Sequence, residues 1–351
     1  RHSAARQTQS VFAQLGLVLV GVATGSGQLV DLASTGASVY LQSYSRDQEF
    51  EADTLGVRYM NAGGWDPQAM ATFLASLREQ SQLEALKAGR DPSSVDQFNM
   101  MASHPRTLDR VQRAVEAAGG ATPGEGRVNR EAYLQEIDGI IYGDDPSQGI
   151  VDGRWFRHPA LRFEFRVPDG FQLMNGESEV IAQHPNGGGI VFDMAQAQSS
   201  DMAAFLQQWA GQTQLNDLER ITVNGQSGAT AWARLQSGSG QADVRLVAIQ
   251  GEGNRVFRFV FIQPAGSSQW NAAFRDTTYS FRRLTAAEAQ QVRAFRLYIR
   301  PVGAGDTIQT FARMMPYGQF NEQTFRVLND LATGGGLQPG ELVKVVRTAS
   351  A

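Results

Sequence analysis

The sequence predicts a multidomain α+β protein: a mainly helical region first, an α+β sheet region second, and a small β-α-α-β unit last. Three observations support this prediction. The spacing of apolar residues changes from three and four to two near residue 155, a glycine-rich segment precedes the change, and the length of 351 residues exceeds one ordinary domain. We therefore expect domains at 1–118, 151–286 and 290–351, with a linker and short helix at 119–150.

The composition narrows the class of protein. Hydrophobic residues make up 42% and charged residues 19%, as in ordinary globular chains, and the formal net charge is only -4. Lys and Arg are scattered, so we do not expect nucleic-acid binding. The chain has no cysteine, which excludes disulfides, a thiolate nucleophile and thiolate-bound metals. A metal in this protein must use histidine and carboxylate ligands.

The first region has helical periodicity from Arg1 to about Ala118. Its longest apolar stretch, Val11 to Val22, is shorter than the ~20 residues of a membrane span, and we interpret it as a buried or membrane-facing helix. The chain opens on Arg1 rather than on methionine, so we expect the start of the natural protein to lie upstream.

Residues 45–60 predict a well delimited helix. Ser45 and Gln48 have capping-box spacing, and the segment 61–64 (Asn-Ala-Gly-Gly) is typical of a C-terminal stop. At about 100° per residue, Glu49 and Asp53 share one line with small and apolar residues. Carboxylates on a packed face need a positive partner, because burying an uncompensated charge is costly. The spacing leaves three interpretations open: a buried salt bridge to arginine, a metal site, or a surface helix whose phase is misjudged.

The second region has a period of two, which predicts strands. Two helical patterns, at 201–212 and 268–279, interrupt the strands and favour an antiparallel or mixed sheet covered by helices on one face. Asn224-Gly225 fits a hairpin turn. The predicted strands include 161–167, 190–194, 229–235 and 255–261.

One segment of the helical region resembles a known family. Glu49-Phe50-Glu51-Ala52-Asp53 resembles the E-x-E-A-D helix of gluzincin metallopeptidases, the family of the CAAX prenyl protease, HtpX and the BepA-type periplasmic proteases. The resemblance implies a catalytic Zn²⁺ with Glu49 as its third protein ligand. It also implies that Asp53 orients a zinc-bound histidine, and a spacing of four suits this pairing of roles.

A second segment supports the resemblance. Residues 103–110 (SHPRTLDR) resemble the S-H-P-x-T-x-x-R segment of the same family. His104 would precede a helix that begins at Pro105, where the helix dipole favours a neutral imidazole able to bond substrate or metal. Arg110 becomes a candidate for contacting a substrate carbonyl, a tetrahedral oxyanion or a nearby acid. The alternatives are a plain helix cap for His104 and a solvated position for Arg110.

The H-E-x-x-H motif, which supplies two zinc ligands and the general base in this family, does not occur in the chain. None of the four histidines has a partner four residues away, and we interpret His158 and His184 as loop residues. The first five residues look like the continuation of the motif helix, so we expect the remaining ligands upstream of Arg1. We predict that residues 1–351 alone neither bind zinc tightly nor cleave peptides.

The end of the chain resembles a LysM domain, a module that binds glycans such as peptidoglycan. The match is degenerate and covers about 50 residues, among them 305–308 (Gly-Asp-Thr-Ile) and 337–342 (Leu-Gln-Pro-Gly-Glu-Leu). Two interpretations stay open for it: glycan binding, or a LysM-like fold used as a docking module.

These resemblances imply a zinc-dependent metalloendopeptidase of the bacterial envelope. We expect it in the periplasm or associated with the membrane, acting on unfolded or misassembled envelope proteins. The first alternative is a non-catalytic envelope-binding or chaperone-like protein with a relic peptidase domain. The second places peptidoglycan recognition first and proteolysis second.

Overall fold

The structure, a computed structural model, describes residues 37–87, 89, 91–96, 108–119, 126–176, 178–184, 186–237, 240–331 and 334–348. Between residues 37 and 49 it describes the backbone only. The stretch 11–22, predicted as a helix, lies outside these residues. Of the helices that the structure describes, none combines the length and apolar character needed to cross a membrane.

The described residues form nine α-helices and thirteen strands, numbered here in chain order. The helices are α1 (Ala37–Ala62), α2 (Gln68–Lys87), α3 (Leu108–Ala118), α4 (Arg130–Ile137), α5 (Met202–Ala210), α6 (Asn271–Ser280), α7 (Ala286–Gln291), α8 (Ile308–Ala312) and α9 (Asn321–Leu328). The strands are β1 (Ile150–Asp152), β2 (Trp155–His158), β3 (Phe163–Arg166), β4 (Gln172–Asn175), β5 (Val180–Gln183), β6 (Gly189–Gln196), β7 (Asn216–Val223), β8 (Gln226–Ser237), β9 (Gly240–Gln250), β10 (Arg255–Pro264), β11 (Arg282–Arg283), β12 (Phe295–Pro301) and β13 (Leu342–Thr348).

The protein is mixed α and β, as predicted, and divides into two compact units. The sheet unit comprises residues 144–293. The composite unit joins the earlier residues 38–143 to the last part of the chain, 294–351. The domain boundaries inferred from the sequence stay predictions.

In the composite unit, α2 and α3 pack through small and apolar side chains. Ala71 and Leu74 of α2 and Ala114 of α3 are buried together. The capping signal predicts that α1 begins at Ser45, but the described helix already runs from Ala37. Residues 37–44 contain no glycine or proline, so nothing in them interrupts the helix before that signal. The predicted stop is confirmed: Gly63 N donates to Tyr59 O at 2.9 Å just beyond the last helical residue.

The end of the composite unit has the predicted β-α-α-β order. Strands β12 and β13 are antiparallel, with Phe295 opposite Thr348, and α8 and α9 lie between them in sequence. Residues 139–142 bond to β12: Tyr142 N donates to Phe295 O at 2.8 Å, and Gly139 N donates to Leu297 O at 2.7 Å. The segment that precedes the sheet unit is therefore tied to the strand that follows it. The resemblance of this region to LysM stays a prediction.

The sheet unit contains a seven-stranded antiparallel sheet in the order β4-β5-β6-β10-β9-β8-β7 and a small sheet in the order β1-β2-β3-β11. The predicted hairpin is confirmed, because Val223 pairs with Gln226 across Asn224-Gly225, and both turn residues have positive φ. The prediction that His158 lies in a loop is wrong. His158 is the last residue of β2, where it is buried among phenylalanines. His184 does lie outside the strands.

Helices cover both faces of the large sheet, not one face as the sequence suggested. The α5 side chains join the core on one face, whereas Phe274 of α6 belongs to the phenylalanine-rich core on the other. The continuous apolar run of β10 explains the difference. Val256, Val260 and Ile262 face one core and the alternate phenylalanines face the other, so both faces need cover.

Candidate functional site

The phase of α1 agrees with the face inferred from the sequence. Asp53 and Val57 are buried, while Glu51 and Arg58 are exposed. A Cβ atom on Gly56 would lie 2.6 Å from Met70 Cε, so α2 approaches α1 closely on this face. The interpretation of α1 as a misjudged surface helix is therefore wrong, and the acid at position 53 needs a partner.

That partner is Arg110 of α3. Arg110 Nε donates to Asp53 Oδ2 and a terminal guanidinium nitrogen donates to Asp53 Oδ1, both at 2.7 Å. Each residue is only 7% exposed. This two-point geometry is the strongest form of an Arg–carboxylate interaction, and it leaves neither charge buried alone.

A second contact fixes the same pair of helices. The Arg113 guanidinium lies 4.1 Å from the centre of the Phe50 ring, a cation–π distance. Arg110 and Arg113 are three residues apart on α3, as are Phe50 and Asp53 on α1, so two neighbouring positions of each helix meet. This register aligns the two helices that carry the family-like motifs.

The structure brings together two of the four predicted site residues, Asp53 and Arg110. Glu49 lies one turn before Asp53 on the described backbone of α1, and its side chain is outside the described part. His104 is also outside the described residues. Of the roles left open for Arg110, contact with a nearby acid is observed, and contact with substrate stays a prediction.

The end of α1 is held by a residue that the sequence did not single out. Arg127 donates to Gly63 O at 2.7 Å and its guanidinium lies 4.6 Å from the centre of the Trp65 ring. Asp66, also buried, accepts a bond from Gln68 N at 2.9 Å and so caps α2. No sequence signal identifies Arg127, whereas Asp66-Pro67 ahead of a helical pattern does indicate a helix start.

The described side chains do not form a zinc site by themselves. Among them, no group of three histidine, cysteine, aspartate or glutamate residues could hold a metal ion. Both oxygens of Asp53 already accept bonds from Arg110, so this acid suits a supporting role better than direct ligation. Zinc would require ligands beyond the described side chains.

The helical region is similar to a known protein family. Residues 1–118 match the model of Peptidase family M48. The match covers both motifs that carry the resemblance, which is therefore confirmed for this part of the chain.

Individual relatives of this region share one name. A beta-barrel assembly-enhancing protease from Yersinia pestis is 30% identical over 111 residues, which are 31% of this chain and 21% of the relative. The Escherichia coli K12 protein of the same name is 28% identical over 122 residues, 34% of this chain and 23% of the relative. The chain thus spans about a fifth of the length of these relatives.

Solved structures add little. A crystal structure from Bacteroides thetaiotaomicron has a TM-score of 0.31 at 15% identity, covering 43% of this chain and 54% of that chain. At this score the likeness supports no inference about function.

Proposed function

We propose that residues 1–118 form part of a zinc-dependent metalloendopeptidase domain, and that the whole protein works in the bacterial cell envelope. The buried ion pair between Arg110 and Asp53 carries this proposal, because it joins the E-x-E-A-D helix to the helix that follows the S-H-P motif. Asp53 and Arg110, which are 57 residues apart and belong to two different motifs, are thus adjacent in space.

In this proposal each residue has a distinct role. Glu49 is the ligand that α1 offers to zinc, and Asp53 orients a histidine ligand by accepting its N–H. Arg110 holds the Asp53 carboxyl group in place. His104, six residues before Arg110, contacts substrate. When bound, zinc would supply an activated water and polarise the peptide carbonyl.

The test compares two glutamates of the same helix in the full-length protein. Glu49→Gln removes the proposed ligand, whereas Glu51→Gln changes an exposed acid two residues away. We expect Glu49→Gln to lose both bound zinc and cleavage of an unfolded protein such as casein, with Glu51→Gln unchanged. Full zinc content and full cleavage in Glu49→Gln would overturn the ligand assignment.

The supporting role of Asp53 has a separate readout. Residues that orient a metal ligand typically contribute about 10–100-fold in metal affinity or activity. We expect Asp53→Asn to weaken zinc binding by about this factor while some cleavage remains at saturating zinc. Unchanged zinc affinity would restrict Asp53 to the ion pair with Arg110.

A relic peptidase domain is the second candidate, and the ion pair is compatible with it, because Arg110 already compensates the charge of Asp53 without a metal. The full-length protein would then bind no zinc and cleave nothing in wild-type form, so the Glu49 comparison separates the two functions. A relic would point to an envelope-binding or chaperone-like role.

The name of these relatives refers to beta-barrel assembly, and the family resemblance supports a periplasmic or membrane-associated location. We propose unfolded or misassembled envelope proteins as substrates. Peptidoglycan is the proposed partner of the last part of the chain, residues 290–351. Pull-down of the full chain on purified peptidoglycan tests this, and full retention of binding after deletion of 290–351 would contradict it.

A further inference from the structure

The sheet unit has an open cleft of about 430 Å³ on the face of the large sheet opposite α5. Its volume lies within the ~300–1,000 Å³ typical of small-molecule sites. The wall comes from the strands β7, β8, β9 and β10, the loop before α6 and the first residue of α6. Its lining includes Trp232, Arg234, Asp243, Gln263, Ser267 and Asn271.

At the base of the cleft, Gln263 has an unused acceptor. The residue is 2% exposed, and its Nε2 donates to Ser267 O at 2.6 Å and to Asn271 Oδ1 at 2.9 Å. Because a backbone carbonyl only accepts, this contact fixes the orientation of the amide. The other atom, Oε1, is buried and accepts no bond from any residue that the structure describes. A ligand hydroxyl would supply the missing donor.

An ion pair forms the adjacent wall. Arg234 Nε donates to Asp243 Oδ1 at 2.7 Å, and Asp243 Oδ2 also accepts from Gly266 N at 2.7 Å. The hydrogen bonds from Arg234 hold the pKa of Asp243 below its ordinary value, so the carboxylate is ionised at neutral pH. The two charges cancel, and the contact with Gly266 fixes the loop that closes the cleft. The wall therefore offers donors and acceptors without a net charge.

The aromatic wall is Trp232, which is partly buried. The Arg245 guanidinium lies 5.4 Å from the centre of the Trp232 ring, and Arg245 Nε donates to Thr230 Oγ1 at 2.9 Å. These contacts restrain the indole ring from its own side of the sheet. A rigid aromatic surface beside fixed polar groups suits a ligand with one apolar and several hydroxylated sides.

We propose that this cleft binds a neutral saccharide. A sugar ring presents C–H groups that stack on the indole of Trp232, and its hydroxyls both donate and accept. One hydroxyl donates to Gln263 Oε1, and others bond to Asn271 and to the Arg234–Asp243 pair. The cancelled charge of that pair disfavours a phosphorylated or carboxylated ligand.

The test titrates the full chain with glucose, galactose, N-acetylglucosamine and their β-1,4-linked disaccharides, following the tryptophan indole signals by NMR. We expect at least one sugar to shift the Trp232 signal saturably, with a Kd of about 1 mM or tighter. Trp232→Ala should weaken binding at least about tenfold. Trp209→Ala, a partly buried tryptophan of α5 on the opposite face, is the matched control and should bind as wild type.

A second variant keeps the test decisive if Trp232→Ala unfolds. Gln263→Met retains the shape of the side chain and removes the acceptor, and we expect weaker sugar binding at an unchanged Trp232 environment. Absence of saturable binding to every sugar would overturn the proposal. Equal binding in folded Trp232→Ala would also overturn it, and would point to residues 290–351 as the glycan site.

Discussion

Two Arg–Asp pairs of this protein have the same geometry and opposite surroundings. In the composite unit Arg110 donates two hydrogen bonds to Asp53, and in the sheet unit Arg234 donates two to Asp243. The Nε–Oδ distance is 2.7 Å in both pairs. The side chains of the first pair are both 9% exposed, whereas in the second pair Arg234 is 56% exposed and Asp243 is 16% exposed. Distance alone therefore does not rank the pairs, and burial decides what each contributes.

The largest effect is expected from breaking the buried pair. Arg110→Met leaves the buried Asp53 carboxyl group without its partner, which should lower the free energy of unfolding by about 3–5 kcal/mol. Urea unfolding measures the loss. Arg113→Met, in the same helix but exposed, is the control and should cost far less. A similar loss in both variants would contradict the special role of the buried pair.

Removing both charges should restore most of that loss. In the double variant Asp53→Leu with Arg110→Met, no charge remains to be desolvated, and buried ion pairs replaced by apolar side chains are often as stable as before. We expect the double variant to be more stable than Arg110→Met alone by about 2 kcal/mol or more in urea unfolding. A double variant less stable than the single one would show that the pair itself is a net source of stability.

The exposed pair should behave differently. In Arg234→Ala, Asp243 loses an exposed partner but keeps the bond from Gly266 N, and water can take the place of the arginine, so the urea midpoint should move much less than in Arg110→Met. Added salt should narrow the gap between Arg234→Ala and wild type, because solvent-exposed charges are screened. A loss as large as that of Arg110→Met would show that the surroundings do not separate the two pairs.

The smallest effect is a pH dependence. Hydrogen bonds from Arg234 hold the folded pKa of Asp243 below its ordinary value of 3.8, so this group contributes stability that is present above pH 3.8 and is lost as the pH falls through the folded pKa. In Arg234→Ala the titration midpoint of Asp243, followed by carboxyl NMR, should rise toward 3.8. Part of the lowering should persist, because Gly266 N still donates. An unmoved midpoint would remove Arg234 as the main cause.

The buried pair also shows which features of the site can be predicted from the sequence and which cannot. The 3.6-residue period placed Asp53 on the packed face of α1 correctly, because burial follows helix phase. It could not select Arg110, since 57 residues separate the partners and no local pattern links them. The two family-like motifs indicated both residues separately, and the contact between them emerged only from the structure.

Other predictions from the sequence are wrong where a local pattern competes with tertiary packing. The capping signal at Ser45 was overridden by helix-compatible residues before it, and covering helices were expected on one face of a sheet that is buried on both. Gln263 was missed although it carried a signal: a polar residue in the apolar run of β10, where a buried amide needs partners.

The composite unit consists of chain segments that precede and follow the sheet unit in the sequence, so the ribosome synthesises its two parts at different times. Residues 139–142 bond to β12, which is translated only after the whole of 144–293. At ~5–20 residues per second, the earlier segment waits roughly 10–30 s for its partner strand. During that interval the apolar side chains destined for the β12–β13 core have no cover, while the sheet unit can already fold.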